Sequence, residues 1–261
     1  MGHTGTLDPQ ATGVLPVCVG KGTKVSDMLT NSDKEYVAEV TLGLTTDTED
    51  IWGNVLSETD DIHITEDMLS TAIQKFIGNI EQIPPMYSAV KIGGKKLYEY
   101  ARKGVEVERK SRTVTINNIE ILSFGENKFS MRVSCSKGTY IRTLCADIGK
   151  ELGVGACMSA LTRTKSGIFT LDDAKTLDEI KKIAEDGDIK SLIIPVDKIF
   201  SALPEIRLDA KRTEQILHGM FLSVELADGD YRVYANSGDF ICVAKVSGKT
   251  LKIVKNFYAG N

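Results

Sequence analysis

Two stretches of alternating apolar and polar residues constrain the fold of this chain more than any other feature of its sequence. They lie at residues 34–42 and 129–135. A period of two over this length predicts strands with one buried and one exposed face. In the first stretch the predicted inward face carries Tyr36, Ala38, Val40 and Leu42.

One helical pattern lies between these two predicted strands and another follows them. Apolar residues recur at helical spacing over 66–77, with Gly78 as the expected end, and again over 141–152, before Gly153. A charged helix is predicted near 176–186. Strands and helices mix without a regular βαβ rhythm, which favours an α+β class with a mixed, mainly antiparallel sheet flanked by helices.

The sequence changes character near Leu203, where a small β-rich domain is predicted to begin. A short helix from Ala210 to His218, closed by Gly219, precedes compact strands joined by turn-forming residues. The predicted strands are 231–235, 239–246 and 250–257. The expected domains are therefore 1–202 and 203–261.

Composition excludes several classes of protein. The five cysteines are scattered and the three histidines do not cluster with them, so neither a disulfide framework nor a zinc site is expected. No apolar run has the length of a membrane helix, and no signal peptide is evident. We expect a cytoplasmic protein without membrane contact.

Charge is unevenly distributed although the net charge is only −4. Residues 84–112 are rich in Lys and Arg, whereas residues 42–73 contain acidic residues and neither Lys nor Arg. A basic face could bind phosphates, and solvated loops of opposite sign are the alternative. The acidic run 47–50 does not have the spacing of a calcium loop and is interpreted as a solvated turn.

Two segments far apart in sequence could bring opposite charges together. Asp8 follows a glycine-flanked loop and precedes Pro9, which favours an extended, stiff presentation of its carboxylate, although Asp-Pro is also an ordinary turn. Arg142 lies at the start of the predicted helix, at position N3 if Thr139 is the N-cap. A cation there opposes the helix dipole, so Arg142 either meets an anion or is a surface arginine.

Tyr36 is the third candidate residue, at the entrance of the first predicted strand. Its ring is expected to point inward. An aromatic side chain in that place can stack on a base, and its hydroxyl can exchange protons. A core tyrosine is the alternative.

These segments together resemble the motif set of the tRNA pseudouridine synthase B (TruB) family. The similarity rests on five stretches, in order along almost the whole chain. They are Gly2-His3-Thr4-Gly5-Thr6-Leu7-Asp8-Pro9, Ala11-Thr12-Gly13-Val14-Leu15, Pro84-Pro85-Met86-Tyr87-Ser88-Ala89-Val90-Lys91, Gly138-Thr139-Tyr140-Ile141-Arg142-Thr143, and Leu152-Gly153 through Leu161-Thr162-Arg163.

The resemblance implies an isomerase that converts uridine 55 in the tRNA T-loop to pseudouridine after flipping the base out. It implies the pseudouridine synthase fold, no cofactor or metal, and a PUA-like RNA-binding domain over 203–261. The T-arm of tRNA is the implied partner. No protein partner is implied, and we expect a monomer.

The same resemblance assigns roles to individual residues. Asp8 is the catalytic carboxylate, acting as nucleophile or as base at the ribose, and Arg142 pairs with it and keeps it ionised. The implied contacts to the flipped uridine come from His3, Tyr36, Tyr140, Arg142 and Leu161, with His3 filling the space that the base leaves. The basic stretch is the expected tRNA-binding surface, formed by Lys91, Lys95, Lys96, Arg102, Lys103, Arg109 and Lys110.

The sequence departs from the family pattern at its start. Family members usually carry some tens of residues before the Gly-His-Thr-Gly motif, whereas only seven residues precede Asp8 here. A missing opening strand would leave a sheet edge unpaired. The alternative to an active synthase is therefore a catalytically weak RNA-binding or tRNA-chaperone protein of the same fold. An RNA-guided synthase is disfavoured by the short tail without basic extensions.

Overall fold

The computed structural model describes residues 1–258, which form two compact units. The larger unit comprises Gly2–Val17 and Ser26–Ala174. The smaller unit comprises Met1, Cys18–Val25 and the chain from Lys175 onward. Within residues 1–258, the structure contains no helix with the length and apolar character needed to cross a membrane.

Thirteen strands and four α-helices lie in the chain as far as Ala174. The helices are α1 (Ser26–Asn31), α2 (Glu66–Gln74), α3 (Leu97–Ala101) and α4 (Ile141–Glu151). The strands are β1 (Gly2–His3), β2 (Thr12–Gly13), β3 (Val17–Cys18), β4 (Lys34–Leu42), β5 (Leu44–Thr46), β6 (Val55–Glu58), β7 (Gly78–Gln82), β8 (Lys91–Ile92), β9 (Lys95–Lys96), β10 (Arg112–Phe124), β11 (Lys128–Cys135), β12 (Ala156–Ser166) and β13 (Phe169–Thr170). Two 3₁₀ helices, Gly20–Val25 and Leu171–Asp173, complete this region.

The central sheet of the larger unit runs in the order β13-β12-β4-β11-β10-β7, with β2 added beside β12. All of its pairings are antiparallel except that of β2 with β12. The α+β class with a mainly antiparallel sheet is therefore confirmed. The two alternating stretches form β4 and β11, which pair with each other along their full length.

The core lies between the sheet and the helices α2 and α4. The inward face of β4 contributes Ala38 and Val40, both without solvent exposure. Helix α4 contributes residues at the predicted apolar spacing, and α2 packs Leu69 and Ile73 into the same cluster. The apolar face of α4 is buried in this core. This packing fixes the orientation of its first turn relative to β12.

The predicted end of the first helix was wrong by about one turn. Helix α2 ends at Gln74, and Gly78 with a φ of +102° opens β7 instead of closing the helix. Phe76 and Ile77 still pack against the core, although they lie in tight turns. Apolar residues at helical spacing therefore continue beyond Gln74, where the helix ends.

The smaller unit is built around a five-stranded sheet. Its elements are α5 (Leu177–Glu185), 3₁₀ helices at Ile189–Leu192 and Val196–Phe200, β14 (Glu205–Leu208), α6 (Ala210–Leu217), β15 (Leu222–Ser223), β16 (Gly229–Ala235), β17 (Phe240–Ser247) and β18 (Thr250–Asn256). The strand order is β14-β16-β17-β18-β15. The predicted strands and helix of this region are confirmed to within two residues at each end.

An aromatic cluster ties the segment before residue 203 to this sheet. The ring of Phe200 lies 6.2 Å from that of Phe240 and 5.7 Å from that of Phe257. Tyr234 donates a hydrogen bond to Asp197 at 2.8 Å. Packing therefore groups residues from 175 onward with the β-rich region, and the functional boundary at 202/203 stays a prediction.

A glycine in β2 is expected to be essential for stability. Gly13 has a φ of +105°, and a Cβ atom there would lie 2.2 Å from the carbonyl oxygen of Arg163. We expect Gly13→Ala to lower the free energy of unfolding by at least about 2 kcal/mol more than Gly78→Ala. Gly78 is a matched control, because its φ is +102° and no atom lies within 4 Å of the added carbon.

Urea denaturation of the two variants measures this difference. Gly78→Ala should show the cost of a positive φ alone, about 1–2 kcal/mol. Equal losses in the two variants would contradict the proposed clash with Arg163.

Candidate active site

A cavity of about 680 Å³ opens in the larger unit and contains the candidate residues Asp8 and Arg142. Its volume is within the range of small-molecule sites, roughly 300–1,000 Å³. Aromatic and aliphatic side chains form most of the lining, with a few charged groups among them. The lining residues are Thr6, Leu7, Asp8, Pro9, Gln10, Ala11, Thr48, Asp50, Trp52, Tyr87, Ser88, Ala89, Tyr98, Arg102, Tyr140, Arg142, Met158 and Leu161.

The loop that carries Asp8 is anchored on both sides. Before it, the fully buried Thr4 donates its backbone N–H to the carbonyl of Pro16 at 3.1 Å. After it, the N–H of Ala11 returns to the carbonyl of Asp8 at 2.9 Å and closes a tight turn. The side chain of Asp8 is 41% exposed, so the carboxylate is accessible from the cavity while its backbone is held.

Two nitrogen atoms of Arg142 contact the two carboxylate oxygens of Asp8. Its Nε lies 2.8 Å from Oδ2 and its Nη2 lies 3.3 Å from Oδ1. The remaining donors bind the carbonyl oxygens of Thr48 and Tyr87, each at 2.9 Å, and Asp50 Oδ2 lies 3.6 Å from Nη1. Since the Arg142 side chain is only 6% exposed, these contacts hold a buried guanidinium in place and fix the direction of the Asp8 carboxylate.

The predicted cap of the helix that carries Arg142 was wrong by one residue. The N-cap of α4 is Tyr140, with extended φ and ψ of −98° and 107°, so Arg142 is the second helical residue and not the third. Thr139 instead donates its hydroxyl to the carbonyl of Ser136 at 2.9 Å. Gln82 holds the cap in place, accepting from the N–H of Tyr140 and donating to its carbonyl.

The acidic run 47–50 is not a solvated turn, and that prediction was wrong. The Asp50 side chain is only 14% exposed and accepts hydrogen bonds from the hydroxyl of Thr48 at 2.7 Å and from the N–H of Trp52 at 3.1 Å. Glu49 adopts a φ of +63° and accepts a 2.6 Å hydrogen bond from Thr143 of α4. The loop therefore contacts Arg142 with a backbone oxygen of Thr48 and a side-chain oxygen of Asp50.

Glu49 is a half-buried carboxyl group whose pKa is shifted by its surroundings. Burial raises its pKa above the ordinary value of 4.5, and the hydrogen bond from Thr143 and the charge of Arg142 oppose this only in part. The folded chain therefore holds this proton more tightly than the unfolded chain. The free energy of unfolding should fall as pH rises from about 4.5 through the folded-state pKa of Glu49.

A Glu49→Gln substitution tests this pH dependence. The variant keeps an oxygen that can accept from Thr143 but has no proton to lose. Its stability relative to the unmodified chain should therefore increase between acidic and neutral pH. Urea denaturation at a series of pH values measures the difference, and a difference that does not change with pH would contradict the assignment.

Tyr36 lies near the cavity but is not among its lining residues. Burial raises the pKa of its hydroxyl, while a hydrogen bond with Arg163 and the charge of that residue lower it. The guanidinium of Arg163 is almost fully buried and also donates to the carbonyls of Val14 at 2.7 Å and Gly5 at 3.1 Å. Arg163 thus joins the loop before Asp8 to strand β4, a function that its position in a strand did not suggest.

The other candidate residues are divided between the cavity and its surroundings. Tyr140 and Leu161 line the cavity, whereas His3 is exposed and is not part of the lining. Of the seven basic candidates only Arg102 lines the cavity. Arg109 is engaged internally, donating to the carbonyl of Pro84 and to Glu106 at 3.2 Å each.

Sequence reasoning missed several lining residues. Trp52 and Tyr98 contribute aromatic surface, and Met158 contributes aliphatic surface from β12. Tyr87 lies in the family motif at residues 84–91, but nothing in the sequence indicated that its carbonyl accepts a hydrogen bond from Arg142. Within the described residues, no group of three His, Cys, Asp or Glu side chains is arranged to hold a metal ion.

Two family models match consecutive parts of the chain. Residues 1–141 match the N-terminal domain of the TruB family pseudouridylate synthases, and residues 142–201 match the C-terminal domain of tRNA pseudouridylate synthase B.

Curated relatives cover most of the chain. It is 44% identical over 259 residues to tRNA pseudouridine synthase B of Bacillus pumilus, an alignment that covers 97% of this chain and 82% of the relative. It is 49% identical over 233 residues to the protein of the same name from Bacillus anthracis, covering 87% and 76%.

Solved structures share the architecture. A chain in a crystal structure of a Cbf5-Nop10-Gar1 complex matches with a TM-score of 0.70 at 28% identity, covering 98% of this chain and 76% of that one. A chain in an H/ACA RNP bound to a substrate RNA containing 2′-deoxyuridine matches with a TM-score of 0.70 at 26% identity, covering 99% and 76%.

Proposed function

Because the chain belongs to the TruB family of pseudouridine synthases, isomerases that act on RNA, we propose that it converts uridine 55 in the T-loop of tRNA to pseudouridine. The observation that carries this proposal is the two-atom contact between Arg142 and Asp8 in the lining of a cavity. An oriented carboxylate beside an apolar, aromatic cavity suits a reaction on an everted pyrimidine.

The reaction breaks two bonds and forms two. The N1–C1′ bond of uridine is broken, the uracil turns, C5 bonds to C1′, the proton on C5 leaves, and N1 takes up a proton from water. Atoms are conserved, so no oxidant or reductant is consumed. Asp8 acts at the ribose, either as a nucleophile on C1′ or as a base that removes a ribose proton, and Arg142 holds it in the required direction.

The aromatic residues hold the base. Tyr140 and Leu161 line the cavity, and Tyr36 stacks on the uracil and accepts or relays the C5 proton. This role for Tyr36 is supported by its pairing with Arg163 of β12, the strand from which Leu161 lines the cavity. His3, exposed at the end of β1, fills the space that the everted base leaves in the RNA.

Binding of tRNA involves surfaces outside the cavity. Exposed basic residues of the segment 84–112 contact phosphates of the T-arm, so binding should weaken with salt. The exposed residues are Lys91, Lys95, Arg102, Lys103 and Lys110, and the half-buried Lys96 and Arg109 lie in the same segment. Residues 203–261 serve as a PUA-like RNA-binding domain after a catalytic region at 1–202. The protein acts as a monomer in the cytoplasm, without a protein partner.

Tritium release tests this function directly. A tRNA transcript with 5-tritiated uridine should lose tritium to water in the presence of the protein, and the modified position should map to uridine 55. A transcript with cytidine at position 55 is the control and should release none from that site. Binding of tRNA without release would favour the non-catalytic RNA-binding protein, and modification at another uridine would overturn the assigned position.

A further inference from the structure

Trp52 is the one tryptophan of the chain and lies at the rim of the candidate active site. It lines the cavity together with Asp8, yet 49% of its surface remains exposed to solvent. A large indole that lines an open cavity and is half in water contributes little to a core. Its position instead suits contact with a ligand that extends out of the cavity.

The backbone holds Trp52 in a fixed place. Its N–H donates to Asp50 Oδ1 at 3.1 Å, and the neighbouring Ile51 N–H donates to the carbonyl of Met158 at 3.0 Å. The following residue is Gly53, where an added Cβ would lie 2.2 Å from a side-chain oxygen of the same loop. Because Asp50 also lies 3.6 Å from Arg142, the Asp50 carboxylate links the backbone of Trp52 to the guanidinium that orients Asp8.

The remaining rim has the chemistry of a surface that binds single-stranded nucleic acid. Tyr98 lines the same cavity, with the ammonium of Lys96 5.3 Å and the guanidinium of Arg102 5.2 Å from its ring centre. Aromatic faces combined with cations bind unpaired bases and the adjacent phosphates. The rim therefore offers two kinds of contact to the nucleotides that continue from a base held in the cavity.

We propose that Trp52 stacks on the unpaired base next to the target uridine and so selects RNA in which that neighbour is also free of a base pair. The proposal rests on the function proposed above, since it presupposes a uridine in the cavity. A base whose face is covered by its neighbours in a helix cannot meet the indole. Trp52 therefore makes RNA recognition depend on an unpaired neighbouring base as well as on the target uridine.

Indole fluorescence tests the proposal without any added label, because all indole emission comes from Trp52. Titration with a T-arm stem-loop RNA should quench this emission. Two further stem-loops carry an abasic site, one on the 5′ and one on the 3′ side of the target uridine. One of them should still bind, as measured by filter retention, but should fail to quench. Unchanged emission with bound RNA, or equal quenching by all three RNAs, would overturn the stacking contact.

Variants give the second measurement. We expect Trp52→Ala to lower the affinity for the stem-loop about tenfold, the size expected for one lost base–aromatic stack. Trp52→Phe should recover much of this loss. The control is Leu56→Ala, which removes an exposed apolar side chain of β6 that does not line the cavity and should leave affinity unchanged.

Tritium release in the same samples separates the two proposals. If the unmodified chain releases tritium but Trp52→Ala binds and reacts equally well, the role of Trp52 is wrong and the proposed function stands. If the unmodified chain binds the stem-loop with quenching but releases no tritium, the proposed function fails and the stacking contact stands.

Discussion

An Asp8→Asn variant is expected to form pseudouridine about 10³-fold more slowly than the unmodified chain, or not at all, while binding tRNA with similar affinity. The amide has the shape of the carboxylate and can still accept a hydrogen bond from Arg142. It lacks the negative charge and the basicity that either mechanism at the ribose requires. Because Asp8 is partly exposed in an anchored loop, its replacement should not unfold the protein.

Single-turnover tritium release and filter binding, carried out on the same preparation, measure this effect. Asp60→Asn is a suitable control, since it removes an exposed carboxylate that does not line the cavity. The control should retain full activity. Equal release by Asp8→Asn and the unmodified chain would remove Asp8 from the mechanism, even if Arg142 remained necessary.

An Arg142→Met variant is expected to lose activity and also to lower the free energy of unfolding by about 3–5 kcal/mol. The guanidinium is buried, and its removal leaves the carboxylate of Asp50 and the carbonyls of Thr48 and Tyr87 without their partner. Asp8 would lose both contacts that set its direction. Stability and activity should therefore fall together, unlike in Asp8→Asn.

The matched variant Arg142→Lys separates charge from geometry. Lysine retains the positive charge in the buried site but cannot place two nitrogen atoms against the two oxygens of Asp8. We expect a smaller loss of stability than in Arg142→Met, measured by urea denaturation, with activity still reduced by a large factor. Full activity in the lysine variant would show that charge alone suffices and would contradict the orienting role.

Much of the fold could be predicted from periodicity alone. Burial alternates along β11 and from Ala38 to Leu42 of β4, because one face of each strand contacts the core and the other is more exposed. Helix α4 was located by its apolar spacing, since its stripe packs against the sheet. The juxtaposition of Asp8 and Arg142, far apart in sequence, was expected only from resemblance to a family, because no local pattern encodes a long-range contact.

The supporting residues could not be predicted, for physical reasons that differ from case to case. Asp50 lies in an acidic run that resembles any solvated turn, and only the fold shows that Arg142 approaches it. Gln82 and Arg163 act on backbone atoms, and such contacts leave no mark on sequence spacing. The cap of α4 was misplaced because Thr139 satisfies its hydroxyl within the preceding turn.

The central claim is that the cavity beside Asp8 receives an everted uridine. A crystal structure of the Asp8→Asn variant bound to a T-arm stem-loop RNA tests it most directly, because the bound RNA cannot react. We expect the target uracil to lie among Tyr140, Leu161 and Tyr36, with C1′ of its ribose facing the side chain of residue 8. A loop bound with that uridine stacked in the RNA and the cavity unfilled would contradict the account.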